Sequence, residues 1–256
     1  MTTVDTTQPG INPVAKLAAA LVIALGLVAS LDWVSALTAV ALELVLVLAL
    51  GIPWRAVLVR GALLMVAAGL TALTILLYGE RSGTVHWQFL LITVSDGSIS
   101  LAIATFLRVL AIALPSVLLF IDTDPTELAD GLGQVVRLPA RFVLGALAGV
   151  RTVGLLRQDW NYLGYARRAR GVADHNRVRR AAGQAFALLV FAIRRGSMLA
   201  TAMEARGFGA HPTRTWARPS RFGTRETGLV LAGVGIAATA IAVSVATGHW
   251  NFIGSR

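Results

Sequence analysis

The 256-residue sequence contains no cysteine, which excludes disulfide frameworks, cysteine-zinc sites, iron-sulfur ligation and thiol nucleophiles together. It has a single lysine, Lys16, preceded by Ile11-Asn12-Pro13-Val14-Ala15 rather than by a glycine-rich phosphate loop, so no Walker A site is encoded. The four histidines, His86, His175, His211 and His249, are scattered without HExxH or comparable metal spacing and read as ordinary surface or interfacial residues. No catalytic residue, no metal and no cofactor are expected. Charge itself is scarce: 14% of residues are charged against 56% hydrophobic, with a mean hydropathy of +0.71. A soluble globular surface does not tolerate that balance, so the bilayer is part of the solvent.

What charge there is has one dominant sign and one address. The net charge is +10, and 17 of the 22 arginines lie between Arg137 and Arg225, opposed there only by Asp159, Asp174 and Glu204. In a membrane protein such a block marks cytoplasmic segments by the positive-inside rule, and nucleic acid is not an expected partner. The stretch 1–13 is polar, carries Asp5 and lacks a basic n-region, so it reads as a short free tail rather than a secretory signal.

A bilayer core needs about 20 apolar residues per helix, and the segments 14–31, 34–52, 56–78 and 98–121 answer to this, with a fifth at 228–247. The expected fold is therefore an all-α membrane protein of about five transmembrane helices plus a cytoplasmic helical module. Its parts are a tail (1–13), a four-helix transmembrane part (14–121), the module (122–226), and a last transmembrane helix with a short tail (227–256). Arg55 and Arg60 share a side with the large arginine block. The 79–97 loop, with Arg81 and His86 against Glu80 and Asp96, falls outside. This orientation places the N-terminus and the module in the cytoplasm and Asn251 outside.

Arg108 lies inside the fourth span, where a guanidinium needs a partner, a watery cavity or a route to the surface, and Glu43 in the second span is the charge-complementary candidate. The pair reads either as a structural polar couple or as part of a transport path. Small residues (Gly61, Ala62, Ala67, Ala68, Gly69, Gly233, Gly235, Ala237, Ala238) permit close helix approach, either within the bundle or toward a partner.

In the middle module, Asp124 can cap a helix, Pro125 suits its first position, Glu127 can complete a capping box, and the helix should run to about Leu132. Pro139 opens a long helix on which Phe142, Ala146, Val150, Val153, Leu156, Trp160 and Leu163 form one stripe. The next segment repeats this with Phe186, Val190, Ile193, Ser197 and Ala200, and its apolar stretch 185–193 is too short to span. Each long helix closes on the same letters, Ala169-Arg170-Gly171 and Ala205-Arg206-Gly207, 36 residues apart. A glycine just past a helix and an arginine in its last turn are ordinary C-terminal features, so the duplication in matched contexts carries the signal.

Taken with Asn12-Pro13-Val14-Ala15-Lys16, Asp124-Pro125-Thr126-Glu127-Leu128 and Leu138-Pro139, the two tripeptides make the sequence resemble, over nearly its whole length, the transmembrane T component of energy-coupling-factor (ECF) transporters, the EcfT/CbiQ-like family. The resemblance implies two long coupling helices that cross on the cytoplasmic side of the plasma membrane. It also implies two ABC-type ATPase subunits docking on Arg170 and Arg206, and a substrate-binding membrane S component that supplies selectivity for a vitamin or metal. Arg167 and Arg168, outside the signature, would be matched controls if solvated. The alternative from another class is a membrane-embedded enzyme acting on a phosphate-bearing lipid. Such enzymes need several aspartates on adjacent turns, and beyond Asp130 the next acids are Asp159 and Asp174.

Overall fold

The computed structural model describes residues 11–28, 30, 32–51, 54–79, 82–89, 92–119, 123–171, 177–209 and 215–248, the side chains of 56, 85–89, 92 and 93 apart. The tail 1–10, Glu80, Arg81, Asp174, His175, His211, Asn251 and the side chain of His86 lie outside the described set, as does His249. Eight helices are present among the described residues. They are α1 (Pro13–Val28), α2 (Trp33–Ala49), α3 (Trp54–Tyr78), α4 (Asp96–Leu119), α5 (Pro125–Gln134), α6 (Ala140–Ala169), α7 (Arg177–Ala205) and α8 (Thr224–Ala246). A two-stranded antiparallel ribbon, β1 (Val85–Phe89) with β2 (Ile92–Ser95), precedes α4 where only a loop was expected. Both segments, VHWQF and ITVS, are rich in β-branched and aromatic residues, which favour extended pairing.

The chain forms two compact units, one of residues up to Thr123 together with those from Arg221 onward, the other Asp124–Ser220. In the first unit α1 packs on α8 and both meet α2 and α4 around Ile23, Leu27, Ala39, Ala111, Ile236 and Ala240. Contact between α1 and α8 is close because of glycine. A β-carbon added to Gly233 would lie 3.1 Å from the Ala19 backbone, and one added to Gly26 would lie 2.8 Å from the Ala237 β-carbon. Gly233 and Ala237 thus serve packing inside the bundle, whereas Gly235 and Ala238 face outward. Asn12 ties the two helix starts together. Its side chain accepts from the Val14 N–H at 3.0 Å, capping α1 ahead of Pro13, and donates to the Arg221 carbonyl at 2.9 Å. Glu226 accepts from the Asn12 N–H at 3.3 Å and from the Gly223 N–H at 2.9 Å. The Lys16 ammonium lies 3.5 Å from the Thr123 hydroxyl.

Four described helices are long and apolar enough to cross a membrane: α3 from Val57, α4, α7 and α8. The first and second spans are helices of 16 and 17 residues, shorter than the 14–31 and 34–52 stretches. At 1.5 Å per residue they fall short of a hydrocarbon core about 30 Å thick. Conversely α7, 29 residues long, meets the length and composition of a span although its apolar centre alone does not. The molecule is an all-α membrane protein.

In the second unit Asp124 caps α5 by accepting from the Thr126 N–H at 2.8 Å, with Pro125 at the first helical position. Among the described residues Glu127 does not return the second bond of a capping box. Gln134 ends α5 by donating to the Arg218 carbonyl and accepting from the Ser220 N–H, each at 2.8 Å. The Trp216 indole covers Gly133, where a β-carbon would meet it at 2.4 Å. An Arg151 to Thr126 contact of 3.3 Å links α6 to α5, and an Arg195–Asp159 ion pair of 2.9 Å links α7 to α6. Val143 and Gln184 are the only buried residues of these two long helices among the described residues.

Candidate functional site

The two Ala-Arg-Gly tripeptides occupy matching positions. Helix α6 ends at Ala169, Arg170 is its C-cap, and Gly171 takes φ +68° with its N–H 3.1 Å from the Arg168 carbonyl. Helix α7 ends at Ala205, and Gly207 takes φ +72° with its N–H 2.9 Å from the Glu204 carbonyl. There the Phe208 N–H also reaches the Met203 carbonyl at 3.0 Å, which completes a Schellman closure. Left-handed backbone at both positions favours glycine, because a β-carbon would crowd the following carbonyl oxygen. Arg170 and Arg206 thus each sit at a helix end, immediately before the left-handed glycine. Both are exposed, and neither side chain bonds to another described residue. A guanidinium so placed keeps all five donors for an external carbonyl or carboxylate.

The intramembrane pair is rearranged relative to expectation. Arg108 donates from Nε and Nη2 to the Leu27 carbonyl at 3.2 and 2.8 Å, not to Glu43. Leu27 is in the last turn of α1, where carbonyls lack the next turn's N–H, so the guanidinium completes the negative end of that helix. The acid at the start of α2 is Asp32, which sequence reasoning passed over. Asp32 caps α2, accepting from the Ser35 N–H at 2.7 Å and its hydroxyl at 2.9 Å, and accepts from the Ser244 hydroxyl of α8 at 2.7 Å. An aspartate three residues ahead of a serine at the start of an apolar run is a capping signal that would have found it. Glu43 is 2% exposed, and neither of its carboxylate oxygens has a hydrogen-bond partner among the described residues. Arg108 thus ties α4 to the end of α1.

Arg167 and Arg168 differ from each other. Arg168 is exposed and stacks 5.0 Å from the Tyr165 ring centre, whereas Arg167 is half-buried against α7. Only an exposed arginine elsewhere on α6, such as Arg157, is a matched control for the signature.

The geometry defines a class: a helical membrane protein in which two helices of 30 and 29 residues end on duplicated, glycine-capped arginines. The sequence profile of the cobalt transport protein family, CbiQ, matches residues 6–216, and the chain belongs to that family, the transmembrane T components of ECF transporters. Among its relatives are energy-coupling factor transporter transmembrane proteins EcfT of three bacteria. The protein of Exiguobacterium sibiricum is 31% identical over 163 residues, 59% of this chain and 62% of the relative. That of Limosilactobacillus fermentum is 30% identical over 169 residues, 59% and 63%. That of Brevibacillus brevis is 28% identical over 183 residues, 67% and 66%. Each alignment spans less than two thirds of the relative's length.

Proposed function

We propose that this chain is the coupling subunit of an ECF-type importer, passing the ATP-driven motion of two ATPase subunits to a substrate-binding membrane subunit that takes up a vitamin or a metal ion. The observation that carries this reading is the pair of long helices whose identical tips each present a free arginine. Two equivalent tips suit two equivalent ATPases, and a stiff helix converts displacement at its tip into displacement along its length. The chain supplies no catalytic group in this scheme; ATP is hydrolysed by the partners. Residues 122–226 face the cytoplasm, where ATP is, and the plasma membrane holds the rest.

Extraction in mild detergent, followed by mass measurement, tests the scheme. The chain should carry two ATPase subunits and show no hydrolysis once they are stripped away. Intrinsic hydrolysis by the stripped chain would overturn it. Since the sequence has no cysteine, Ser255→Cys should label only from outside, and labelling confined to the cytoplasmic side would reverse the orientation.

A further inference from the structure

The last third of α6 and the first turns of α7 line a half-open cavity of about 300 Å³ whose walls carry three guanidiniums, Arg167, Arg168 and Arg180. No acid pairs with any of the three among the described residues. Asp159 on α6 is paired with Arg195 at 2.9 Å, and Asp174, nearer in sequence to all three, lies outside the described residues. Gln184, 5% exposed, lines the same cavity and its amide makes no hydrogen bond to the described residues. Trp160 adds an indole, and Tyr165 braces Arg168 at 5.0 Å. Two glycines make the space. A β-carbon on Gly183 would come within 3.0 Å of the Arg167 guanidinium, and one on Gly164 within 3.4 Å of the Gln184 amide nitrogen.

Three like charges lining one half-open cavity repel one another, with no acid among the described residues to offset them. A tetrahedral polyanion relieves that repulsion: its oxygens accept several charge-assisted bonds at once, and the planar guanidinium fork matches them. We propose that this cavity binds a phosphate-bearing anion held by Arg167, Arg168 and Arg180, with Gln184 supplying a neutral donor. The phosphate comes either from an anionic lipid headgroup, which a basic surface of a membrane protein attracts, or from a soluble phosphate compound. The inference concerns the chain alone and does not rest on the coupling scheme.

The full chain in neutral detergent is titrated calorimetrically with inorganic pyrophosphate at constant ionic strength. In parallel, chain reconstituted with phosphatidylglycerol and phosphatidylcholine is examined by native mass spectrometry for retained lipid. Saturable one-site binding of pyrophosphate, or selective retention of phosphatidylglycerol, is expected, the first alone indicating a soluble phosphate and the second a headgroup. Arg167→Gln and Arg180→Gln should each weaken the observed binding about tenfold, the scale of one charge-assisted hydrogen bond. Arg167→Lys should fall between, and Arg157→Gln, outside the cavity, should bind like the parent. Helical circular dichroism confirms that each variant is folded. The proposal is overturned if neither probe binds, if Arg157→Gln weakens binding as much as the cavity variants, or if those variants lose only ATPase association while the parent binds neither probe.

Discussion

The two units solve opposite problems with the same kind of residue. In the first, apolar side chains of α1, α2, α4 and α8 turn inward, and Ile23 and Leu27 are each 1% exposed. In the second, apolar stripes of equal quality remain outside: Phe142 is 67% exposed, Phe186 69% and Ile193 62%. Helix α3 exposes leucines as well, and like α7 it has the length and composition that suit lipid, whereas α6 is interrupted by arginine and is not among the described helices apolar enough to span. In the coupling scheme proposed above, the uncovered stripe of α6, flanked by guanidiniums, is a surface for contact with a partner. Burial is thus concentrated in one unit, and most apolar side chains of the other stay uncovered among the described residues.

The strongest break of that contrast is at the helix tips. Losing one partner of a hydrogen-bonded charge pair at an interface costs about 2–5 kcal/mol, so Arg170→Ala or Arg206→Ala should each weaken assembly or uptake, and the double variant should abolish it. Arg157→Ala at equal expression should behave like the parent, since exposed charges contribute only about 0–1 kcal/mol. Parental uptake by the double variant would reduce both tripeptides to ordinary helix caps.

A paired substitution sharpens the division between the units. Gly233→Leu forces atoms into the Ala19 backbone and should destabilise the purified chain by about 1–3 kcal/mol, read as a drop in thermal midpoint in detergent. Phe186→Ala, on the exposed stripe, should leave the midpoint within about 0.5 kcal/mol of the parent. Equal drops would mean that the second unit has a core of its own.

Glu43 should give a gain rather than a loss. An unbonded buried polar group costs about 1–3 kcal/mol, so Glu43→Met, of similar length and without charge, should raise the thermal midpoint by about 1–2 kcal/mol in the same assay. A lower midpoint would show that the carboxyl has a partner in the folded protein.

The smallest effect expected is at Asp124. Its carboxyl is held below the ordinary carboxylate range, first by the Thr126 N–H and then by the Thr126 hydroxyl. A lowered folded value means the cap stabilises above the ordinary carboxylate range and is lost as pH falls through the folded value. Asp124→Ala should cost α5 about 1 kcal/mol near neutral pH and should show little difference from the parent in acid, which hydrogen exchange of the α5 amides can follow.

Composition and periodicity determined the membrane class, the two long helices and their ends. Cysteine and lysine usage excluded whole chemistries, glycine after a periodic run marks a left-handed turn, and Asp124-Pro125 begins a helix; all of these act over a few residues. The span lengths were harder, because apolar residues continue past the points where α1 and α2 stop, and the Asp32 cap is set by Ser35 locally but by Ser244 from across the chain. Only tertiary structure decided that Arg108 clamps the Leu27 carbonyl, that Glu43 has no hydrogen-bond partner among the described residues, and that Arg167, Arg168 and Arg180 line one cavity. A charge in a sequence shows that a partner is needed, but its energy depends on distance and surrounding dielectric, and those exist only once helices remote in the chain have packed.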